Sequence, residues 1–193
     1  MSNGRWTYFD KSKIDPTVEY GHFIVIEDSE IDAYTQLANM VVVRKSKIGK
    51  HNKLWNHLNI YNSEIGDRNT ISSFCEIGGS RIGNNCKIEA MVYMPLGVTI
   101  GNNVFIGPGV KFANDKYPKV VDSKWEWSVG EVSIADRSAL GINTTVLPNV
   151  KIGAHSFIAA ASLVTQDVPP NSFAMGRPAQ IVSLNTLKEV GVI

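Results

Sequence analysis

Two cysteines, four histidines and one Asn-Asp pair are the residues of this sequence whose types most readily do chemistry. Cys75 and Cys86 could act as thiol nucleophiles, or pack as small hydrophobes in a core. His22, His51, His57 and His155 could ligate zinc, which needs three imidazoles converging on one ion. Asn114 and Asp115 set a proton-accepting carboxylate beside an amide dipole, or they form a plain turn. The elements that carry these residues decide which of them can meet.

Those elements follow from an internal repeat. Aliphatic residues recur at Ile14, Ile26, Ile31, Leu37, Val43, Ile48, Leu54, Ile60 and onward to Phe112, with Tyr20 in the remaining slot. The steps run 6, 6, 5 as far as Ile82 and then settle to 6, so Ile14, Ile31, Ile48, Ile65 and Ile82 are 17 residues apart. Neither strand alternation nor a helical period gives this spacing, whereas an aliphatic residue followed by glycine every sixth position is the signature of a parallel β-helix. Three short faces then close one coil, with each aliphatic pointing into a triangular core. The fifth residue of many hexads is small or aliphatic and also points inward, and both cysteines fall there, which favours packing over catalysis. Ser29, Ser46, Ser63 and Ser80 recur at one turn, and the residues after them, Glu30, Lys47, Glu64 and Arg81, alternate in sign as a ladder of charge pairs would. His51 and His57 fall on different faces with no third histidine at a matching place, which counts against zinc.

The period is lost between Phe112 and Val132 and resumes at Ile134, Leu140, Val146, Ile152, Ile158 and Val164. Residues 113–131 are therefore predicted to be a loop thrown out of the coil stack, and long loops in compact solenoids usually carry function. The prediction is one all-β domain over 1–193: a parallel β-helix of about seven coils, the loop, and a tail (169–193) that leaves the solenoid, with a short strand or helix over 184–190 capping its end.

Composition narrows the function classes. The 193 residues carry 19 Lys and Arg against 18 Asp and Glu, so no global basic field favours nucleic acid or an anionic membrane surface. No apolar run is long enough for a membrane helix, the N-terminal MSNGRWTYFDKSK has no leader-like apolar core, and two cysteines make no disulfide framework. A cytoplasmic location is the expectation.

The hexads, FANDKYP (112–118) and LGINTTVLPNVKIGAHSFIAAASLVTQDVPPNSFAMGRPAQIV (140–182) together resemble the left-handed β-helix acyltransferases, over nearly the whole chain. Within that family, LWNHLNIYNSEIGDRNTISSFCEIG (54–78) followed by FANDKYPK is similar to the nucleotide-sugar N-acetyltransferases that acylate a sugar 3-amino group, some of which serve lipopolysaccharide or surface-glycan synthesis. The resemblance implies a homotrimer, acetyl-CoA in the groove between adjacent subunits, and no metal in the chemistry. His57, within the matching segment, is a candidate catalytic residue. Sugar O-acetyltransferases of this fold use a loop histidine to deprotonate a hydroxyl, but no histidine occurs from Ala113 to Glu131. An amine needs only an acceptor for its proton, so the loop favours N-acylation, with Asp115 taking or holding the proton and Asn114 orienting the amine or the thioester carbonyl. Gly141 and the run Ala159, Ala160, Ala161 would let pantetheine approach the coil edge; Arg177 and Lys151 are the phosphate candidates. Glu89, with Ala90 and Met91, stands where relatives offer asparagines to the nucleotide sugar, and could bind an amine or be a solvated turn carboxylate. The rival functions are O-acetylation of a sugar hydroxyl and a non-catalytic β-helix scaffold.

Overall fold

Strands of two to four residues are too short to stand alone, and here each is held by parallel pairing with the strands one coil below and above it. The computed structural model describes residues 6–121, 124–126 and 128–182, which wind as a left-handed parallel β-helix with no α-helix among them. Three flat sheets form the walls of a triangular prism. The first sheet runs from Thr7–Asp10 to Leu163–Val164 and the second from Lys13–Ile14 to Lys151–Ile152. The third runs from Glu19–Tyr20 to Phe173–Gly176, with Ala179–Ile181 added antiparallel at its end.

The nine strands of the first sheet give nine coils, where the hexad count predicted about seven. The surplus lies at the ends. The first coil fills its slots with the partly buried Ile14 and Tyr20, and the last is completed by a strand that carries no hexad signal. That strand corrects a second expectation. Phe173–Gly176 pairs in parallel with Phe157–Ile158 and buries Ala174, so the chain beyond Val168 stays in the solenoid instead of leaving it. The segment 184–190 lies outside the described residues.

Inside the prism the aliphatic columns are in register, for example Ile31, Ile48, Ile65, Ile82 and Ile100 along the second sheet, all buried. Each such side chain contributes roughly 1.5–3 kcal/mol by leaving water. Polar columns stand beside them. Ser46, Ser63 and Ser80 each take a backbone N–H bond to the hydroxyl of the serine one coil below, at 3.0–3.2 Å. Outside, Lys47 pairs with Glu30 at 3.9 Å and Arg81 with Glu64 at 3.5 Å. These pairs are solvated, so they fix register more than they stabilise.

The three edges of the prism turn through left-handed residues. The edge from first to second sheet, here the loop edge, uses Lys11, Asp28, Lys45, Asn62, Gly79 and Gly97. The polar edge, from second to third, uses Tyr34, His51, Arg68, Asn85 and Asn103 in its lower coils. The ridge edge, from third back to first, uses Phe23, Met40, His57, Phe74 and Met91, then Gly109, Asn143 and Ala161. The loop leaves the loop edge after Lys111–Phe112, folds back through an antiparallel pair, Lys119–Val121 with Lys124–Glu126, and rejoins at Val132–Ile134.

Candidate active site

Asn114 closes the mouth of the loop. Its side-chain amide donates to the Leu96 carbonyl at 3.2 Å, and its own carbonyl accepts from the Gly130 N–H at 2.8 Å. One amide hydrogen is thus engaged, whereas Oδ1 meets no donor among the described residues. That leaves Oδ1 free to orient an incoming amine and one amide hydrogen free to polarise a carbonyl. Asp115 accepts the Tyr117 N–H on Oδ1 at 2.9 Å, the bond of an Asx turn, and both residues are half-buried. Directly beneath the mouth, a groove of about 480 Å³ is lined by Leu96, Arg81, Thr99, Glu131 and Ser133. The sequence reading had not singled out this groove. Its signal was the place where the loop returns to outward positions of the second sheet.

The other candidates divide between edges. His57 is exposed on the ridge edge and stacks on Phe74, ring centroids 4.7 Å apart. It lies three coils below Asn114, roughly 14 Å at one strand spacing per coil, and at the far side of the first sheet. One protomer therefore does not bring His57 to the loop pair. Glu89 shares the ridge edge, but both its oxygens are engaged: Oε1 by Lys87 Nζ at 2.7 Å and Oε2 by the Ser72 hydroxyl at 3.2 Å.

Gly141, Ala159, Ala160 and Ala161 occupy the upper ridge edge in adjacent turns. A Cβ on Gly141 would lie 2.5 Å from the Ala160 nitrogen, so coil stacking already requires glycine there. Ala160 and Ala161 are exposed and carry no long side chain, while Ile142 in the turn below is 49% exposed on the same edge. Arg177 is held at the top of this edge by donating Nε–H to the Ala161 carbonyl at 2.8 Å. Lys151 is on the second sheet, where its backbone N–H bonds Asp167 at 2.7 Å, so it does not join Arg177 within one chain.

The cysteines are packed. Cys75 and Cys86 are buried and free, and their thiols contact backbone carbonyls at Glu89 and Gly101. Burial pushes the Cys75 thiol up to about 11 and raises Cys86 as well, so neither is a thiolate near neutrality. Among the described residues no three His, Cys, Asp or Glu side chains converge as metal ligands would, and no helix among them is long and apolar enough to cross a membrane.

Residues 79–114 match the family model described as bacterial transferase hexapeptide (six repeats). The chain is a hexapeptide-repeat β-solenoid. Over 86 residues it is 41% identical to a Schizosaccharomyces pombe protein named as an acetyltransferase, covering 43% of this chain and 41% of that one. Over 87 residues it is 34% identical to the galactoside O-acetyltransferase of Escherichia coli, covering 44% and 43%. The chain thus spans about two fifths of the length of these relatives. The UDP-N-acetylglucosamine acyltransferase of Francisella novicida superposes over 96% of this chain and 72% of its own, with TM-score 0.81 and 26% identity. A hexapeptide-repeat acetyltransferase of Vibrio cholerae, solved with acetyl coenzyme A, superposes over 63% and 70% with TM-score 0.55 and 28% identity.

Proposed function

We propose that this protein transfers an acetyl group from acetyl-CoA to the amino group of a nucleotide-linked amino sugar, in a cytoplasmic pathway to surface glycan or lipopolysaccharide. The observation that carries the reading is the upper ridge edge, where exposed Ala160 and Ala161, beside the half-exposed Ile142, form a strip of small residues that ends at Arg177. Such a strip suits an extended pantetheine arm with its phosphates at the arginine, a charge-assisted contact. The relatives named as acetyltransferases and the acetyl-CoA complex of the Vibrio protein support the donor.

The amine attacks the thioester carbonyl, its proton passes to an acceptor, and the CoA thiol departs. Asp115 is the proton acceptor in this reading and Asn114 Oδ1 orients the amine, above a groove that receives the acceptor molecule. Because the strip and the loop pair occupy opposite margins of the first sheet, they meet only between copies, which fits a homotrimer. His57, three coils lower, has no step to perform. Lys151 faces away from the strip and reaches only a donor held by another copy.

A second reading, acetylation of a sugar hydroxyl, is favoured by the identity shared with the galactoside O-acetyltransferase. The histidine-free loop counts against it. Thiol release from acetyl-CoA, measured with a panel of nucleotide amino sugars and their hydroxyl counterparts, tests both. Release with the amines alone supports N-acylation, release with hydroxyl sugars supports the alternative, and none with any acceptor would favour a scaffold.

A further inference from the structure

The residue after each inward aliphatic of the third sheet opens the turn into the ridge edge. In successive lower coils it is Gly21, Ala38, Trp55, Ser72 and Glu89. Small and polar residues thus serve this slot on both sides of Trp55, and the coil demands no bulk there. Trp55 is an indole left 50% exposed. A single exposed apolar residue needs no explanation. This one stands in the uppermost of three coils that line a groove of about 660 Å³, floored by Ala38 and within the size range of small-molecule sites.

The other margin of the groove is polar. Glu19, Gln36 and Lys53 stand in register on the outer face of the same three coils, all exposed. Gln36 Nε2 donates to Glu19 Oε2 at 3.0 Å, which ties the first two together. The other side-chain oxygen of each takes no donor among the described residues, and the Lys53 ammonium meets no carboxylate among them. Acceptors and N–H donors therefore face one space beside an aromatic plane. Their charges cancel, one carboxylate against one ammonium.

We propose that this groove binds one pyranose ring of an uncharged saccharide, with the C–H face of the ring on Trp55 and its hydroxyls along Glu19, Gln36 and Lys53. Three properties select that occupant. A pyranose has an apolar C–H face, which the electron-rich face of an aromatic ring attracts. Its hydroxyls donate and accept alike, so they use carboxylate, amide and ammonium together, whereas an aliphatic ligand would leave those groups without partners. A phosphate or nucleotide would find one cation, a carboxylate two coils below it, and no second cation lining the groove. The groove is also remote from the acyl-transfer strip. Gly141 stands four coils above Trp55 in the same sheet, roughly 19 Å at one strand spacing per coil. The inference does not depend on the proposed function.

Titration of the isotope-labelled full chain with methyl glucoside, methyl N-acetylglucosaminide and cellobiose tests this, read at the indole N–H resonance of Trp55. That resonance is assigned by its loss in Trp55→Ser, a change that copies the residue one coil above in the slot. It is expected to move with a Kd in the millimolar range, as a shallow and solvated groove gives. Inorganic phosphate at the same concentrations should leave it in place. Ala38→Gln fills the floor without adding charge, in a slot that holds Glu89 higher up, and should raise the saccharide concentration needed by about tenfold or more. Should that variant not fold, Lys53→Ala on the exposed margin is read in the same way. A stronger response to cellobiose assigns the site to a saccharide chain and an equal one to free sugar, and both support the proposal. A Trp55 resonance that no saccharide moves, or that phosphate moves instead, overturns it, as does an unchanged titration in the folded variant. Thiol release from acetyl-CoA should be unaltered in Trp55→Ser, so failure of either reading leaves the other standing.

Discussion

Asn52→Ala should be among the most destabilising single changes in this chain. The residue is fully buried, at the inward fifth position of a hexad that elsewhere holds Val, Ile, Leu, Thr, Ser, Cys or, one coil above, Asn69. Its side-chain amide donates to the Gly49 and Gly66 carbonyls, both at 2.8 Å, and its Oδ1 accepts the Asn69 N–H at 2.8 Å. Truncation removes three bonds but does not orphan three groups, since the Gly49 carbonyl keeps the Thr35 hydroxyl at 2.8 Å. The Gly66 carbonyl and the Asn69 N–H are left buried without partners among the described residues. Each costs about 1–3 kcal/mol, and the small void adds about 1, giving a loss of about 3–5 kcal/mol. Urea unfolding followed by circular dichroism measures it, with Asn62→Ala as reference. Asn62 is exposed at φ 51, so its variant loses only the left-handed preference, about 1 kcal/mol. If the two variants unfold within about 1 kcal/mol of each other, the interior asparagine column does not hold the coils as argued.

Arg177→Ala should weaken acetyl-CoA binding by about 1.5–3 kcal/mol without unfolding the chain, and unchanged affinity by calorimetry at moderate salt would reject the phosphate assignment. Asn114→Ala and Asp115→Ala should lower kcat more than they raise KM for acetyl-CoA. The Asp115 variant alone should recover as pH rises, because more of the acceptor amine is then already neutral; near-wild-type rates in both would move the chemistry away from the loop mouth. Cys75→Ala should keep turnover while losing about 1–2 kcal/mol to a small void, and loss of turnover in the folded variant would reopen a covalent mechanism. The Cys75 thiol rises on folding from 9.0 to about 11, so between those pH values the unfolded chain holds fewer protons and stability falls as pH rises. That decline is at most about 2.7 kcal/mol for a two-unit shift, and alkaline melts of the wild type and the Cys75→Ala variant should differ by no more than this.

The solenoid was legible because its driving force is periodic: one aliphatic per face leaves a spacing that survives substitution of any single residue, as Tyr20 and Met94 show. The serine column was legible for the same reason. The ninth coil was not, because Phe173–Gly176 joins by backbone pairing and buries only Ala174, a contact with no hexad signature. Asn52 and Asn69 were not legible as core residues, since asparagine usually turns the chain outside a core and only the stacking of coils gives it three partners inside. At the candidate site, the loop was found as a break in period and its polar pair by type. Which residues share an edge needed the coil-by-coil register, and that register separated His57 and Lys151 from the residues they were expected to serve.

The 17-residue coil has a consequence for how such a chain can change length. A coil is one turn of a screw, so removing or duplicating 17 residues in the lower stack shifts everything above by one strand spacing without rotating it. A cut of 16 would instead misplace every inward side chain. The lower coils thus behave as a spacer of adjustable height, and the distance from the base of the molecule to the loop mouth can be reset in single strand spacings while the upper end keeps its shape.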